Sequence, residues 1–546
     1  MSPVHFSESG SREAEPTGAK HYGVTAAATQ FNNHLTHQQP LAIGRHVDDL
    51  IGTTLWFVAR FTLMRTFAIQ TLGCRVNQYE SEQIAQLLRD RGLIESASLQ
   101  DADLRIINTC SVTTEAASKS RQTVRRNTRL NVLNSSHAGA TSPGSSNSRV
   151  IVTGCWATSN AADAKKLPGV DAVLTHHDDV SAQLNHLLDN WNHTPQPLGD
   201  DISIIPTGNP ATQPPQLNRL SAATVKKNLP IGTHSLPLLG QHQSNQRAYL
   251  KIQDGCDAHC TYCIIPQLRP GLWSKPIADV VDEAKKLVAA GHRELILTGI
   301  FLGAFGQPTA LRRRQTESSK LAALIDALCT EVPNLVRLRL SSLEPGDFTT
   351  NLICSLKSHP QIVPHFHLPL QSGSDKILHR MNRQYTRADF LRMIDNVHSA
   401  FDRPAITTDI IVAFPGETDH EFSQTLDVVD RAKFIHIHAF PFSARPGTAA
   451  ARWTDNFIPG SIAKHRIETL AACGLAHSQK FRESFLNQKV ELLVEKQNNF
   501  DTFRHGRCER YFDVHFESTT ANPGDSVAVQ INRITPHRTF GRMVHP

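Results

Sequence analysis

The sequence predicts an α/β protein in three parts: an N-terminal parallel α/β domain, a central partial (βα)6 barrel and a small C-terminal β-barrel. Three observations carry this. Short apolar runs alternate with amphipathic stretches over residues 66–190 and again over 246–450. Three cysteines sit in a Cys-x3-Cys-x2-Cys cluster just after the first run of the second block. Residues 486–546 change to two-residue alternation punctuated by glycines. The chain has 546 residues, enough for about three to four domains. Lys+Arg total 56 against 50 Asp+Glu, so a nucleic-acid surface, if present, is local. Composition excludes a fibre, a coiled coil and a wholly disordered chain.

Residues 1–65 are polar, His-rich and without sustained periodicity; they read as disordered or as a mis-called start, with Met64 directly before the first strand. From 66 to 190, strands are expected at Phe67–Leu72, Leu104–Asn108, Val150–Thr153 and Ala172–Leu174. Asn77–Gly92 reads as a helix, with Asn77 and Glu80 as a capping-box pair and Ile84, Leu87 and Leu88 as its apolar face. Ser135–Ser148, rich in Ser, Gly and Ala, reads as a flexible loop, and 191–245, rich in Pro, Asn, Gln and Thr, as a linker. From 246 to 480, six strands are expected: Ala248–Ile252, Glu294–Leu297, Val336–Leu340, His365–Leu368, Thr408–Val412 and His436–Phe440. Helices such as Ala278–Ala290 and Ala388–Phe401 lie between them. In the last domain, strands are expected at Val490–Val494, Tyr511–Phe516 and Ser526–Ile531, with Gly506, Pro523–Gly524 and Gly541 at or near turns.

The ten cysteines come with no bilayer-length apolar run and no basic-then-apolar N-terminus, so a reduced, cytoplasmic setting is expected. There, spaced cysteines favour metal or redox chemistry. Cys256, Cys260 and Cys263 can ligate three irons of a [4Fe–4S] cluster. The open fourth iron can chelate S-adenosylmethionine, and one electron then cleaves the sulfonium to a 5′-deoxyadenosyl radical. A zinc site or chance clustering is the alternative; zinc wants a fourth ligand, and His259 lies awkwardly between two of the cysteines. Cys74, Cys110 and Cys155 each stand just past a predicted strand. Strand carboxyl ends of a parallel sheet meet at one crevice, so these three can converge on a second cluster; the alternative is three ordinary buried cysteines. Gly73, Gly154 and Gly255 each precede a ligand cysteine, where a missing Cβ lets backbone approach a cluster. Cys329, Cys354, Cys473 and Cys508 read as structural.

At these residues the chain resembles the radical-SAM methylthiotransferases, and among them the subgroup acting on threonylcarbamoyladenosine in tRNA. The resemblance rests on Thr71-Leu-Gly-Cys-Arg-Val-Asn-Gln-Tyr-Glu80, Asn108-Thr-Cys-Ser-Val-Thr113, Lys119-Ser-Arg-Gln122 and Val152-Thr-Gly-Cys155. It continues through Lys251-Ile-Gln-Asp-Gly-Cys256, Cys263-Ile-Ile-Pro266, Ser341-Ser-Leu-Glu-Pro345, His367-Leu-Pro-Leu-Gln-Ser-Gly373, Phe414-Pro-Gly-Glu417 and Arg445-Pro-Gly-Thr448. It spans roughly residues 66–546. It implies an N-terminal domain with an auxiliary [4Fe–4S] cluster, a radical-SAM partial barrel and an RNA-holding TRAM domain. The implied reaction places a methylthio group on C2 of N6-threonylcarbamoyladenosine beside the tRNA anticodon, using two molecules of S-adenosylmethionine. A reducing partner such as flavodoxin or ferredoxin, a sulfur donor and the anticodon stem-loop are the implied partners, with no membrane. Arg75 stands where the family usually has Lys, Trp156 where it has Tyr, and Leu268-Arg-Pro-Gly271 replaces its usual Arg-Gly-Arg-Ser run.

The resemblance also suggests S-adenosylmethionine contacts: Tyr262 near the adenine, and Thr298-Gly299 at the methionine amino group. Glu344, Gln371 and Asp409 are polar near predicted strand ends, where barrels hold their sites. Arg445 could meet a phosphate or the substrate carboxylate. For RNA, Lys119, Arg121, Arg125, Arg126 and Arg129 follow the second ligand cysteine on a predicted helix, with Arg121, Arg125 and Arg129 on one face; a solvated face is the alternative. Arg507, Arg510, Tyr511, Arg533, His537, Arg538 and Arg542 make the last domain basic, with an aromatic for stacking. Competing functions are methylthiolation of isopentenyladenosine in tRNA or of a ribosomal-protein aspartate. In another class stands a non-catalytic iron–sulfur RNA-binding regulator, which leaves the six-unit barrel unexplained.

Overall fold

The computed structural model describes residues 64–137, 148–193, 233–243, 246–312, 319–496 and 503–544. The expectations for residues 1–63, for most of the 135–148 loop and for 194–232 lie outside the described residues.

The N-terminal sheet is built from β1 (Thr66–Thr71), β2 (Ile94–Glu95), β3 (Leu104–Thr109), β4 (Arg149–Gly154) and β5 (Ala172–Val173). All pairs are parallel, in the order β2-β1-β3-β4-β5. Chain direction across the sheet reverses between β1 and β3, so the crevice at a topological switch point falls at their carboxyl ends. Helices α1 (Arg75–Asp90), α2 (Thr114–His137), α3 (Cys155–Ser159), α4 (Ala161–Lys165) and α5 (Val180–His193) cover both faces. Ile84 and Leu88 of α1 and Leu184 and Leu188 of α5 pack on one face with Phe67 and Ile106; Val124, Trp156 and Ala164 pack on the other with Ile107 and Val152. Helix α2 runs to His137, so the expected loop does not begin at Ser135.

The capping-box expectation for Asn77 and Glu80 is corrected. Cys74 is the N-cap, and both residues lie inside α1, buried. Tertiary partners override the local signal. Asn77 Nδ2 donates to the Leu72 and Thr109 carbonyls, at 2.9 and 3.0 Å, and Glu80 meets cations from the next domain.

All six barrel strands form: β6 (Ala248–Lys251), then, beyond a short hairpin of β7 (Gln253–Asp254) with β8 (Trp273–Ser274), β9 (Glu294–Thr298), β10 (Arg337–Leu340), β11 (His365–His367), β12 (Ala405–Val412) and β13 (His436–Pro441). They make two parallel half-barrels, β10-β9-β6 and β11-β12-β13, joined by parallel bridges Leu338–Ile362 and Ser342–His367. Helices α6 (Ile265–Leu268), α7 (Ile277–Ala289), α8 (Leu321–Glu331), α9 (Thr350–Ser358), α10 (Asp375–Arg380), α11 (Arg387–Ala400), α12 (Asp419–Ala432) and α13 (Gly460–Glu483) follow in order. The largest apolar core lies between strands and helices here, with Leu250, Leu297, Leu340, Phe366 and Ile410 among its fully buried members. Residues 233–243, inside the expected linker, pack instead: Gln83 Nε2 donates to Pro237 O at 2.8 Å, and Leu239 N to Glu283 Oε1 at 3.0 Å.

The C-terminal part is a closed barrel of β14 (Lys489–Val494), β15 (Phe503–Cys508), β16 (Asp513–Glu517), β17 (Ser526–Ile534) and β18 (Thr539–Met543), in the order β14-β15-β16-β18-β17. Gly506 and Gly541 are not turn glycines: they lie within β15 and β18. A Cβ on Gly506 would stand 2.8 Å from Leu493 O, and one on Gly541 2.4 Å from Val529 Cγ1, so both allow close strand approach. Among the described residues, no helix is long and apolar enough to cross a membrane.

Candidate functional site

The first cysteine set stands at the switch point. Cys74 follows β1 as the N-cap of α1, Cys110 directly follows β3, and Cys155 directly follows β4 as the first residue of α3. The thiols of Cys74 and Cys155 both approach Asn77 Oδ1 at 3.9 Å. Gly73 has φ +106°, and a Cβ there would lie 3.0 Å from Cys110 Sγ. Gly154 has φ +93°, and its Cβ would meet Asn108 Oδ1 at 2.3 Å. Two of the sulfurs thus share Asn77 Oδ1, and Cys110, from the third strand end, lies against Gly73 beside them. Burial pushes the Cys155 thiol to about 12 and raises that of Cys110. Such groups become thiolates when a metal replaces the proton.

The second set lies on the loop after β7. The Arg383 guanidinium is central to it. Nη1 donates to Cys260 Sγ at 3.2 Å and to Tyr262 Oη at 3.4 Å, while Nη2 bonds Glu344. Backbone N–H of Ala258 donates to Cys256 Sγ at 3.4 Å. Cys256 and Cys260 rest against Ala258, Phe301, Ala304 and Ala310, a dry wall. Burial pushes the Cys256 and Cys263 thiols to about 12. Gly255 has φ +76°; a Cβ there would overlap Gly271 O at 1.8 Å. Thr298 ends β9, buried, and Gly299 abuts Gln253, whose Oε1 accepts from Phe301 N at 2.7 Å. Tyr262 packs edge-on to Phe414, 6.2 Å between centroids, in a cluster with Phe442 and Trp453. Gln371 and Asp409 lie in the other half-barrel, where Gln371 N donates to Asp409 O at 2.8 Å. Asp409 Oδ2 is 3.1 Å from His367 Nε2, and these two with His438 have ligand atoms within 4.8 Å of one another.

A buried charge network joins the two sets. Arg269 Nη1 donates to Glu80 Oε1 at 2.7 Å and to Asp254 at 2.8 Å, and Nη2 to Glu80 Oε2 at 2.8 Å. Lys251 Nζ donates to Glu80 Oε1 at 2.9 Å, Asp254 Oδ2 at 2.8 Å and Thr233 Oγ1 at 2.8 Å. Although burial opposes it, Arg269 and then Lys251 hold both carboxyls well below the usual range. His176 Nε2 lies 3.4 Å from Glu80 and 3.3 Å from Arg269 Nη2; burial, then Arg269, pushes its pKa down, which favours the neutral ring. Among the lysine, arginine and carboxylate groups two cations balance two anions, and His234 Nε2 adds a contact of 3.5 Å to Asp254 Oδ2. One residue beyond the network's edge, Leu268 packs with Ile264 on Cys155, so both cysteine loops share a wall. The Leu268–Gly271 departure thus keeps an arginine at the centre of the site and a glycine opposite Gly255.

Residues 250–429 match the radical SAM superfamily, and residues 66–175 match the uncharacterized protein family UPF0004. The threonylcarbamoyladenosine tRNA methylthiotransferase MtaB of Bacillus subtilis is 33% identical over 471 residues, 86% of this chain and 94% of that protein. The chain belongs to the radical-SAM methylthiotransferase family. A tRNA-2-methylthio-N(6)-dimethylallyladenosine synthase from Rhodococcus jostii is 32% identical over 87% of this chain and 88% of its own length. The MtaB of Thermotoga maritima is 32% identical over 79% and 87%. Among solved structures, the radical S-adenosylmethionine methyltransferase TsrM of Kitasatospora setae aligns with TM-score 0.47 and 14% identity over 71% of this chain and 77% of that one.

Membership of the radical-SAM methylthiotransferases implies a [4Fe–4S] cluster and S-adenosylmethionine. Three cysteines with an arginine on one sulfur fit such a cluster. The expected RNA contacts divide. Lys119, Arg121, Arg125, Arg126 and Arg129 are all exposed on α2. Arg510 and Tyr511 are not free contacts, which corrects that expectation. Arg510 donates to the Arg403 and Asp402 carbonyls, both at 3.1 Å, because it docks the C-terminal barrel on the central one. Tyr511 Oη accepts from Arg75 Nη2 at 3.2 Å, and its ring lies under Arg339 and Arg507, 4.7 and 4.4 Å from the centroid. Arg445 is buried and donates to Ser111 Oγ at 2.5 Å, so it braces the loop after Cys110. Sequence reasoning missed Arg269 and Arg383. Their partners lie up to 189 residues away, and no local pattern marks them.

Proposed function

We propose that the protein methylthiolates C2 of N6-threonylcarbamoyladenosine in the anticodon stem-loop of tRNA. The single observation behind this is that two separate three-cysteine sets lie on either side of one wall, Ile264 and Leu268 packed on Cys155; three ligands each would leave one iron of a cluster open. In this reading, Cys256, Cys260 and Cys263 hold the radical-SAM cluster, and Cys74, Cys110 and Cys155 hold an auxiliary [4Fe–4S] cluster. When bound, the first supplies reductive cleavage of S-adenosylmethionine and the second carries the sulfur to be transferred. Arg383 orients Tyr262 and Glu344 beside Cys260. With Thr298 and Gly299, and Gln371 and Asp409 across the lumen, these form the S-adenosylmethionine contacts. Asn77 sets the spacing of Cys74 and Cys155. The exposed basic face of α2 takes RNA phosphates. The domain limits are 66–190, 246–480 and 486–546, the last being the TRAM-like barrel. The protein acts in the cytoplasm, with a flavodoxin- or ferredoxin-type reductant and a separate sulfur donor.

A second reading is favoured by the Rhodococcus relative, similar to this chain at 32% identity: the substrate is dimethylallyladenosine. The block Leu72-Gly-Cys-Arg-Val-Asn-Gln supports the first. The test is turnover by the reconstituted full chain with reductant and S-adenosylmethionine, given stem-loops carrying either modified adenosine. Methylthiolation of the threonylcarbamoyl RNA supports the proposal. Conversion of only the dimethylallyl RNA replaces it with the second reading.

A further inference from the structure

Strand β13 carries His436, His438 and Phe440 at alternate positions, so their side chains share one face. The opposite face is covered: Ile437 and Ala439 pack into the main core, and Gly474 of α13 lies against Ile437. The stripe therefore faces the lumen. Asp409 pairs in register with His438, and the His438 ring is 5.9 Å from that of His367 on β11. All three side chains are exposed, Phe440 by 43%. The rings of His438 and Phe440 are nearly parallel, 16° apart at 6.5 Å, and His436 abuts His438 at 4.3 Å. An aromatic row this bare inside a barrel lumen is a surface without a partner among the described residues.

We propose that this row is the platform on which an unpaired nucleobase of the RNA substrate stacks. The inference rests on the function proposed above and adds where the base sits. Charge selects the occupant. Burial, then His436, pushes His438 down to about 4, and burial also lowers His436, so the row is neutral π surface. Charges of both signs border it: Asp409 on the paired strand acts on His438 and His436, Arg75 on His438 and Arg507 on His436. Just past the strand's end, Ser443 Oγ accepts from Thr114 N, the start of α2, at 3.0 Å. Exposed Lys119, Arg121, Arg125 and Arg129 continue along that helix. A cationic track leading to neutral ring faces fits a polyanion with flat bases. His367 and Asp409 supply hydrogen-bonding groups on the facing strands for a base edge.

The test uses the full chain with its clusters reconstituted and an anticodon stem-loop bearing 2-aminopurine at the target adenine. Native protein should quench the probe on binding. Phe440→Ala should remove most of the quench and raise Kd about 5- to 150-fold, as expected for one lost base stack. Phe440→Tyr, which keeps a ring, should restore both, and His438→Ala gives an independent second loss if Phe440→Ala alters iron content. Native Kd and native quench in both alanine variants, at unchanged iron, would overturn the platform. The failures separate: native protein that converts neither modified stem-loop refutes the proposed function, whereas conversion at equal kcat/KM by native and alanine variants refutes the platform alone.

Discussion

Replacing Arg269 by Met should loosen the N-terminal domain from the barrel. Arg269 is 4% exposed and contacts two carboxylates at 2.7–2.8 Å. In the native network Glu80 and Asp254 are balanced by Lys251 and Arg269, while burial and Arg269 disfavour a charged His176. The substitution leaves one uncompensated buried anion. Breaking a buried pair from one side costs about 3–5 kcal/mol. At the lower bound this is about a 150-fold increase in opening. Hydrogen–deuterium exchange over residues 75–90 and 247–255 reads the opening, and urea unfolding followed by tryptophan fluorescence reads the stability. The double variant Arg269→Met with Glu80→Gln returns the network to a neutral Lys251–Asp254 pair. It should be more stable than Arg269→Met alone, the non-additivity expected of neighbours in one network. A loss below about 1 kcal/mol, or a double variant no better than the single one, would refute the reasoning.

Changing Cys256, Cys260 and Cys263 together to Ala should remove about four irons per chain and leave about four; changing Cys74, Cys110 and Cys155 should do the converse, as read by iron assay. Gly154→Ala places a Cβ 2.3 Å from Asn108 Oδ1 at φ +93°; it should cost about 1–3 kcal/mol and deplete the auxiliary set's iron, read by melting and iron content. The pH response follows from Glu80 and Asp254. Their folded carboxyls sit well below the ordinary range, so their stabilisation is complete above the ordinary carboxylate pKa, about 4, and is lost as pH falls through the folded values. Acid titration should show native stability holding at about pH 5 and falling below about pH 4; in Glu80→Gln that fall should be shallower. Arg383→Lys keeps a charge but not the fork that spans Cys260, Tyr262 and Glu344; it should lower S-adenosylmethionine cleavage at least about tenfold, read as 5′-deoxyadenosine by mass spectrometry.

The barrel was readable because short strand patterns, some apolar runs and some alternating as in β10 and β13, recur between helical stretches, and the two helices expected there are Ile277–Ala289 and Arg387–Ala400, one residue from expectation. Cys256, Cys260 and Cys263 were legible from their local Cys-x3-Cys-x2-Cys spacing, and the convergence of Cys74, Cys110 and Cys155 because a parallel sheet puts strand carboxyl ends together, whatever their separation in sequence. β15 and β18 were not. Phe503-Arg-His-Gly-Arg-Cys508 and Thr539-Phe-Gly-Arg-Met543 carry charged residues and a glycine where a strand pattern wants alternation, and barrel closure rather than propensity forms them. Glu80 looked like a cap because capping is local, whereas its real partners, Lys251 and Arg269, arrive 171 and 189 positions later. Tyr511 looked like a stacking residue for RNA for a similar reason: an aromatic among arginines reads the same whether the arginines face solvent or clasp the ring.

The most direct test of the central claim is nucleoside mass spectrometry of tRNA from cells lacking this gene, beside the parent. The account predicts loss of 2-methylthio-N6-threonylcarbamoyladenosine and accumulation of the unmethylthiolated nucleoside. An unchanged tRNA profile would contradict it.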